Sequence, residues 1–251
     1  MTIPKLAATL VAAYLLGSVP IGLLIVRART GKDVRQLHSG RTGGTNVGRV
    51  AGFWAGLATG LGDILKSTGA VVIAHAIGAG NAWIEAAAGA MAVVGHIYSV
   101  FLMERNNGKY VFRGGAGGAP TMGAAIAMWP PSALIILPAS MGLLFGVGYA
   151  SLATLSTGLF ATILFAWRAQ EGLGPWAYAA FGLAAADDAV AGEGKEAGQR
   201  VGGDRAVEHG DAANAARPDA PGAHSRGDAG QLMGSDPRTG TGVRRHERRM
   251  P

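Results

Sequence analysis

A polar loop at residues 38–49, HSGRTGGTNVGR, interrupts a largely apolar chain. Its side-chain donors are hydroxyl, amide and guanidinium groups, and they belong to Ser39, Thr42, Thr45, Asn46, Arg41 and Arg49. Gly40, Gly43 and Gly44 allow backbone N–H groups to approach a ligand with no Cβ in the way. Arginine binds phosphate through paired charge-assisted hydrogen bonds, and a helix beginning near Thr45 would add its free N–H groups. The loop is either an anion site or a turn whose arginines only set membrane orientation.

Asp63 and Lys66 form a second candidate group inside an apolar stretch. Opposite charges three residues apart face each other on a helix. Ionisable side chains within a membrane segment are costly, so they generally serve a function and have a partner. The alternative is an interfacial salt bridge that marks the end of a half-helix.

His96 and the segment 109–121, KYVFRGGAGGAPT, form a third candidate group. A histidine at the end of an apolar helix either donates to phosphate or acts as an acid or base, or it caps carbonyl groups. The segment after it carries Lys109 and Arg113 with the glycines Gly114, Gly115, Gly117 and Gly118. It predicts a second anion-binding loop, although a flexible linker has a similar composition. His75 has no evident partner in the sequence and is assigned a structural role.

Conventional catalytic motifs are absent from the sequence. It has no cysteine, no G-x-S-x-G elbow, no H-E-x-x-H, no phosphate-binding G-x-x-x-x-G-K-[ST] and no cluster of metal-ligating residues. Residues 1–186 also contain no H-x-x-x-x-D acyltransferase pair. An enzyme built from these residues would act by positioning and electrostatics, without a covalent triad.

Composition divides the chain near residue 186. The first 186 residues carry 12 Lys and Arg against 5 Asp and Glu, with long apolar runs. The remaining 65 residues carry 10 basic and 11 acidic side chains among Gly, Ala and Pro. They cannot bury enough apolar surface to offset their ordering entropy, so we predict a membrane domain at 1–186 and a disordered tail at 187–251. The positive charges of the membrane domain lie in short loops, which argues against nucleic acid as a partner.

Apolar segments predict an all-α polytopic membrane protein. Residues 4–26 are long enough to cross the hydrocarbon core of about 30 Å, and the basic loop that follows is cytoplasmic by the positive-inside rule. The segment 50–62 is too short to span and predicts a half-helix or an interfacial segment. The expected spans are 4–26, 67–80, 82–103, 119–130, 132–147, 150–167 and 174–186. About seven helices place the N-terminus outside, the C-terminus in the cytoplasm, and both glycine-rich loops on one face.

The order of YLLGSVPIG, DVRQLHSGRTGGTNVGRVAG, DILKS, GHIYSVFL and FRGGAGGAPT resembles the PlsY-type integral-membrane glycerol-3-phosphate acyltransferases of bacteria. The resemblance covers about residues 10 to 185. It implies seven transmembrane helices in the bacterial plasma membrane. It also implies transfer of an acyl group from acyl phosphate to glycerol-3-phosphate, which gives lysophosphatidic acid and phosphate. A soluble enzyme that makes acyl phosphate is an implied partner, and coenzyme A is not required.

The resemblance assigns roles by position. Ser39, Asn46, Lys66 and His96 fall in the catalytic set. The substrate- and phosphate-binding set comprises Gly40, Arg41, Gly43, Thr45, Arg49, Asp63, Lys109, Arg113, Gly114, Gly115 and Gly117. Within these sets, Arg49, Lys66 and Arg113 hold phosphates, Ser39 and Asn46 orient glycerol-3-phosphate, and His96 supports the site.

The chain departs from the family pattern at four places. Arg41 replaces a usual Asn, Ser67 replaces a usual Gly, and Ala116 stands where the third motif has its second lysine. Lys109 lies in an apparent insertion and is a substitute for that lysine, and we expect Arg41 to compensate in charge. After Ala186 the sequence loses the family's basic helix end, as a shifted reading frame or a divergent tail would. These departures keep open an alternative, a catalytically impaired membrane protein that binds or transports a phosphorylated metabolite.

Overall fold

The structure is a computed structural model that describes residues 2–106, 108–147 and 150–187. The tail predicted for 187–251 therefore lies almost entirely outside the described residues. The helices are α1 (Ile3–Ser18), α2 (Ile21–Thr30), α3 (Gly44–Ala51), α4 (Phe53–Gly78), α5 (Ala82–Ile97), α6 (Gly118–Met128), α7 (Ser132–Val147), α8 (Ala150–Gln170) and α9 (176–187). Two short strands, β1 (Met103–Asn106) and β2 (Lys109–Phe112), form a hairpin.

The prediction of a helical membrane protein is confirmed. Among the described residues, four helical stretches are long and apolar enough to cross a bilayer: Ile3–Thr30, Phe53–Gly78, Ala82–Leu102 and Leu152–Gln170. The helix α7 is apolar but shorter. The count of seven spans and the orientation of the N-terminus stay predictions.

The prediction that the helix at 50–62 ends before Asp63 is wrong, because residues 53–62 form the first part of α4, which runs unbroken from Phe53 to Gly78. Asp63 and Lys66 interrupt the apolar sequence but do not end the helix. Both side chains are buried in the protein, at 1% and 7% exposure, so they face helices and not lipid. Ionisable groups are tolerated at membrane depth when they face the interior of the bundle and are paired there.

The first predicted span, 4–26, is broken at Val19 and Pro20. Proline has no backbone N–H and cannot continue the hydrogen-bond ladder of α1, so the chain restarts as α2 at Ile21. The break frees carbonyl groups that side chains then satisfy. The Ser18 carbonyl accepts a hydrogen bond from the Ser99 hydroxyl at 2.6 Å, and the Val19 carbonyl accepts one from the Lys66 ammonium at 3.0 Å.

A polar segment, 104–121, follows the predicted span 82–103. Its first half belongs to a β-hairpin, which the all-α prediction did not include. Its strands are antiparallel, with Met103 opposite Phe112 and Asn106 opposite Lys109. Gly108 lies in the turn with φ of +78°, a conformation that glycine adopts without strain. The second half, 113–117, is an irregular glycine-rich loop that leads into α6.

Close helix contacts depend on small residues. A Cβ at Gly17 of α1 would overlap the carbonyl of Ala92 in α5, and a Cβ at Gly95 would overlap the carbonyl of Tyr14. Gly123 of α6 approaches the carbonyl of Ile64 in α4 in the same way. Since lipid is as apolar as the helix surfaces, membrane helices associate largely through such close packing.

His75 has a partner, so its assignment as a residue without one is wrong. Its Nδ1 lies 2.8 Å from a carboxylate oxygen of Glu85, and the Tyr178 hydroxyl donates to the other oxygen at 2.5 Å. Glu85 is only 3% exposed. The contact joins the consecutive helices α4 and α5 to α9, which is distant from them in sequence.

Gly17→Ala tests the α1–α5 contact. We expect it to lower the free energy of unfolding by about 1–3 kcal/mol, because the added methyl group overlaps backbone that cannot move freely. Thermal unfolding of the purified protein in detergent measures the change. Gly60→Ala in α4 is the matched control, since its Cβ would meet open space. Equal melting temperatures for the two variants would contradict the packing argument.

Candidate functional site

Asp63, Lys66 and His96 meet in the interior of the helical bundle. The Lys66 ammonium lies 2.8 Å from Asp63 Oδ1 and 2.9 Å from His96 Nδ1, and His96 Nδ1 lies 3.5 Å from the same carboxylate oxygen. Asp63 and Lys66 come from successive turns of α4, whereas His96 comes from the end of α5. All three side chains are at least 93% buried. The sequence predicted the first pair, and the fold adds the histidine.

The Lys66 ammonium has three polar neighbours. It donates hydrogen bonds to the Val19 carbonyl and to His96 Nδ1, and it forms an ion pair with Asp63. These contacts hold His96 and the α1–α2 break in place. The predicted role of Lys66 in holding phosphate stays a prediction.

The contact between the Lys66 ammonium and His96 Nδ1 sets the tautomer of His96. Since the ammonium only donates, Nδ1 of His96 accepts, and in a neutral imidazole Nε2 then carries the proton. Nε2 faces the second glycine-rich loop, where a Cβ at Gly115 would overlap the ring. His96 thus presents an N–H donor to that loop.

Backbone contacts hold the second loop against the end of α5. The Gly115 N–H donates to the His96 carbonyl at 3.1 Å. A Cβ at Gly114 would overlap the carbonyls of His96 and Ile97. Glycine is needed at both positions because the loop backbone lies directly on the helix end.

The two predicted anion-binding loops touch each other. The Thr42 N–H donates to the Gly114 carbonyl at 3.2 Å, and a Cβ at Gly22 would overlap the Thr42 carbonyl. The first loop leads into α3, which begins at Gly44 as the sequence suggested, and Gly44 packs closely on Gly56 of α4. The fold therefore brings the loops and the buried triad into one connected region.

Asn46 organises the first loop from within. Its side chain is 3% exposed, and its amide group donates to the carbonyls of Val34, Leu37 and Arg41 at 3.3, 3.1 and 2.8 Å. Through these contacts Asn46 shapes the loop that carries Ser39 and Arg41. Its predicted role in orienting glycerol-3-phosphate stays a prediction.

An ionic network that the sequence reasoning missed joins the segment just before the first loop to the hairpin. Arg35 contacts Asp33 and Glu104, each at 2.7 Å, and Glu104 lies 3.8 Å from Arg113. The Arg35 guanidinium holds the pKa of Asp33 at about 2, so this carboxylate stays charged throughout the neutral range. Sequence spacing could not reveal the network, because Arg35 and Glu104 are far apart along the chain.

The remaining predicted residues lie on or near the two loops. Arg49 and Thr45 are exposed on α3, and Arg49 makes no ion pair with any described residue. Lys109 is exposed on β2 and lies on the hairpin face that carries Glu104. Less exposed positions in the same loops are those of Ser39, Gly40, Arg41, Gly43, Arg113 and Gly117. Whether Arg41 compensates for the missing lysine stays a prediction.

Comparison with known proteins agrees with this arrangement. The sequence is 41% identical over 157 residues to a glycerol-3-phosphate acyltransferase of Rubrobacter xylanophilus, covering 62% of this chain and 74% of the relative. It is 36% identical over 156 residues to the enzyme of that name from Thermus thermophilus, with 62% and 73% coverage.

Two solved structures also match, and both are crystal structures of PlsY (YgiH), an integral membrane glycerol 3-phosphate acyltransferase. The glycerol 3-phosphate form has a TM-score of 0.64 and 27% identity, and the lysophosphatidic acid form has a TM-score of 0.61 and 26% identity. Each comparison covers 79% of this chain and 92% of the other. Residues 7–187 match the family described as glycerol-3-phosphate acyltransferase, and the chain belongs to that family of multi-pass membrane proteins.

Proposed function

We propose that this protein transfers an acyl group from acyl phosphate to the 1-hydroxyl of glycerol-3-phosphate, in phospholipid synthesis. One observation carries the proposal: two cationic, glycine-rich loops join through Thr42 and Gly114 beside the buried group Asp63, Lys66 and His96. Both substrates carry phosphate, and the loops offer donors suited to it. The solved relatives in their glycerol 3-phosphate and lysophosphatidic acid forms support the same substrate and product.

We assign phosphate binding first to two arginines of the loops, Arg49 and Arg113. Arg49 is exposed on α3 and has no described ion-pair partner, so its guanidinium can bind phosphate through paired hydrogen bonds. Arg113 is 40% exposed at the start of the second loop, and Glu104 orients it from one side. We assign supporting contacts to Ser39, Gly40, Arg41, Gly43, Thr45, Lys109, Gly114, Gly115 and Gly117.

The chemistry needs no protein nucleophile, because acyl phosphate is already activated. The glycerol-3-phosphate hydroxyl oxygen forms a bond to the acyl carbon, and the bond from that carbon to the phosphate oxygen breaks. The hydroxyl proton goes to the departing phosphate, so the products are lysophosphatidic acid and hydrogen phosphate. The Nε2–H of His96 stabilises negative charge on the phosphate, while Lys66 and Asp63 hold the imidazole in that orientation. Rate enhancement then comes from orientation and charge stabilisation.

The acyl donor reaches the site from the cytoplasmic face in this proposal. A soluble enzyme that forms acyl phosphate is the expected supplier, and the acyl chain and the product remain in the membrane lipid. The reaction as written consumes neither coenzyme A nor a metal ion.

The purified full-length protein tests the proposed reaction directly. With synthetic acyl phosphate and labelled glycerol-3-phosphate we expect labelled lysophosphatidic acid, and with acyl-CoA in place of acyl phosphate we expect none. Protein reconstituted in sealed vesicles without acyl phosphate separates the transport alternative, since only a transporter would accumulate glycerol-3-phosphate. A folded protein that gives no product in the first assay would overturn the proposal.

Gly115→Ala tests the contact between the second loop and His96. The added methyl group displaces either the ring or the loop, and a misplacement of about 1 Å in a catalytic group can reduce kcat by about 100-fold. We expect that loss in kcat measured well below the melting temperature, which the overlap with the buried ring also lowers. Gly142→Ala is the control, because its Cβ would meet no described neighbour. Wild-type kcat in Gly115→Ala would contradict the placement of His96.

Arg49 and Lys66 have different roles, and their variants are expected to differ. Arg49→Gln removes a charged hydrogen bond worth about 1.5–3 kcal/mol, so KM for glycerol-3-phosphate or acyl phosphate is expected to rise about tenfold or more at constant stability. Lys66→Met leaves Asp63 buried without its cation, which costs about 3–5 kcal/mol of folding stability.

Steady-state kinetics and thermal unfolding of both variants separate these effects. Arg29→Gln, on the exposed part of α2, is the control for loss of a cytoplasmic charge. If Arg49→Gln had the KM values of the Arg29→Gln control, Arg49 would not be a phosphate ligand.

A further inference from the structure

The β-hairpin begins where a membrane-spanning segment ends. The apolar span Ala82–Leu102 is followed at the next residue by β1, and the chain returns toward the membrane in α6, which starts at Gly118. The hairpin therefore starts at the boundary between hydrocarbon and headgroups. Its insertion relative to the family pattern is not explained by the reaction proposed above.

The strand register divides the hairpin into two chemically different faces. Side chains alternate along a strand, and directly opposed residues share a face. Met103 and Phe112 are opposed, as are Arg105 and Tyr110, so these four residues form one face, which we call the aromatic face. The other face carries Glu104, Asn106, Lys109 and Val111.

The aromatic face is exposed although much of it is apolar. Met103 is 44% exposed, Tyr110 63% and Phe112 39%, and the Phe112 ring also packs edge-on against Tyr98 at 6.4 Å. Arg105 is exposed and forms no ion pair with a described residue. Aromatic side chains together with a free cation are typical of the membrane–water interface.

The opposite face fixes how the hairpin is oriented. Glu104 contacts Arg35 at 2.7 Å and lies 3.8 Å from Arg113, so that face is directed toward the loops of the candidate site. The aromatic face is thereby directed away from those loops. A cytoplasmic leaflet with anionic lipids attracts a nearby Arg or Lys by about 1 kcal/mol.

We propose that the aromatic face lies on the anionic lipid surface of the cytoplasmic leaflet, with Tyr110 and Phe112 at the headgroup boundary and Arg105 bound to lipid phosphate. Charge complementarity and the start of the hairpin at the end of a span favour lipid as the occupant. A soluble protein would have to enter the headgroup layer to cover Met103 and Phe112. The contact anchors the hairpin, and through Glu104 it steadies Arg35 and Arg113.

Spin labels at single cysteines test the proposal. The chain contains no cysteine, so Tyr110→Cys and Asn106→Cys each provide one labelling site in the full-length protein. In nanodiscs that contain phosphatidylglycerol we expect the label at 110 to be more accessible to oxygen than to a water-soluble nickel complex. The label at 106, on the opposite face, is expected to show the reverse order. Retained lysophosphatidic acid formation by both variants shows that they are folded.

Arg105→Gln in the Tyr110→Cys background tests the charge. We expect the label at 110 to shift toward the aqueous phase, and we expect a similar shift when phosphatidylcholine alone forms the nanodisc. An aqueous environment for the label at 110 in phosphatidylglycerol would overturn the proposal, and it would point to a protein partner or a free hairpin. If neither Arg105→Gln nor uncharged lipid changed the environment of the label at 110, the proposal that anionic lipid covers the aromatic face would also be overturned.

Discussion

The ammonium of Lys66 is the group on which the candidate site depends. A buried charge is very costly unless it is paired and hydrogen-bonded, and the Lys66 ammonium pairs with Asp63 and donates to His96 Nδ1 and the Val19 carbonyl. Those partners belong to α4, the end of α5 and the break between α1 and α2. One side chain thus fixes the relative position of three parts of the chain at membrane depth, and it sets which imidazole nitrogen of His96 carries a proton.

The site also depends on glycine, which lets the two loops lie close to the buried triad. The loops can approach the triad only because backbone replaces side chains at the contacts, as at Gly114 and Gly115 against His96 and at Gly22 against Thr42. A glycine-rich loop is usually considered flexible, but here the backbone hydrogen bonds from Thr42 and Gly115 hold it. Glycine therefore provides close approach at this site, and the fixed N–H and C=O groups provide the order that charge stabilisation requires.

Charged groups outside the helices extend this order to the surface. Glu104 lies between Arg35, just before the first loop, and Arg113 at the start of the second, so one ionic network joins the hairpin to the segments next to both loops. At the other end of α4, the buried carboxylate of Glu85 joins α5 to His75 and Tyr178. Polar contacts of this kind define which helices are neighbours, since apolar surfaces in lipid give little preference.

The sequence by itself determined the membrane class, the helical fold, the pairing of Asp63 with Lys66 and the presence of two glycine-rich cationic loops, because these follow from local hydropathy and spacing. It could not assign contacts between distant residues. Only the tertiary structure shows that His96 contacts Lys66 and that His75 pairs with Glu85. It also shows that the Asn46 amide and the Lys66 ammonium donate to backbone carbonyls. Finally, it shows that α4 continues past Asp63 and Lys66 without a break. The physical reason is that a polar group in an apolar segment is ambiguous until its partner is known. By sequence, Asp63 and Lys66 fit either an interfacial salt bridge at the end of a half-helix or a buried pair within the bundle, and their contacts with each other and with His96 inside a continuous α4 decide for the second.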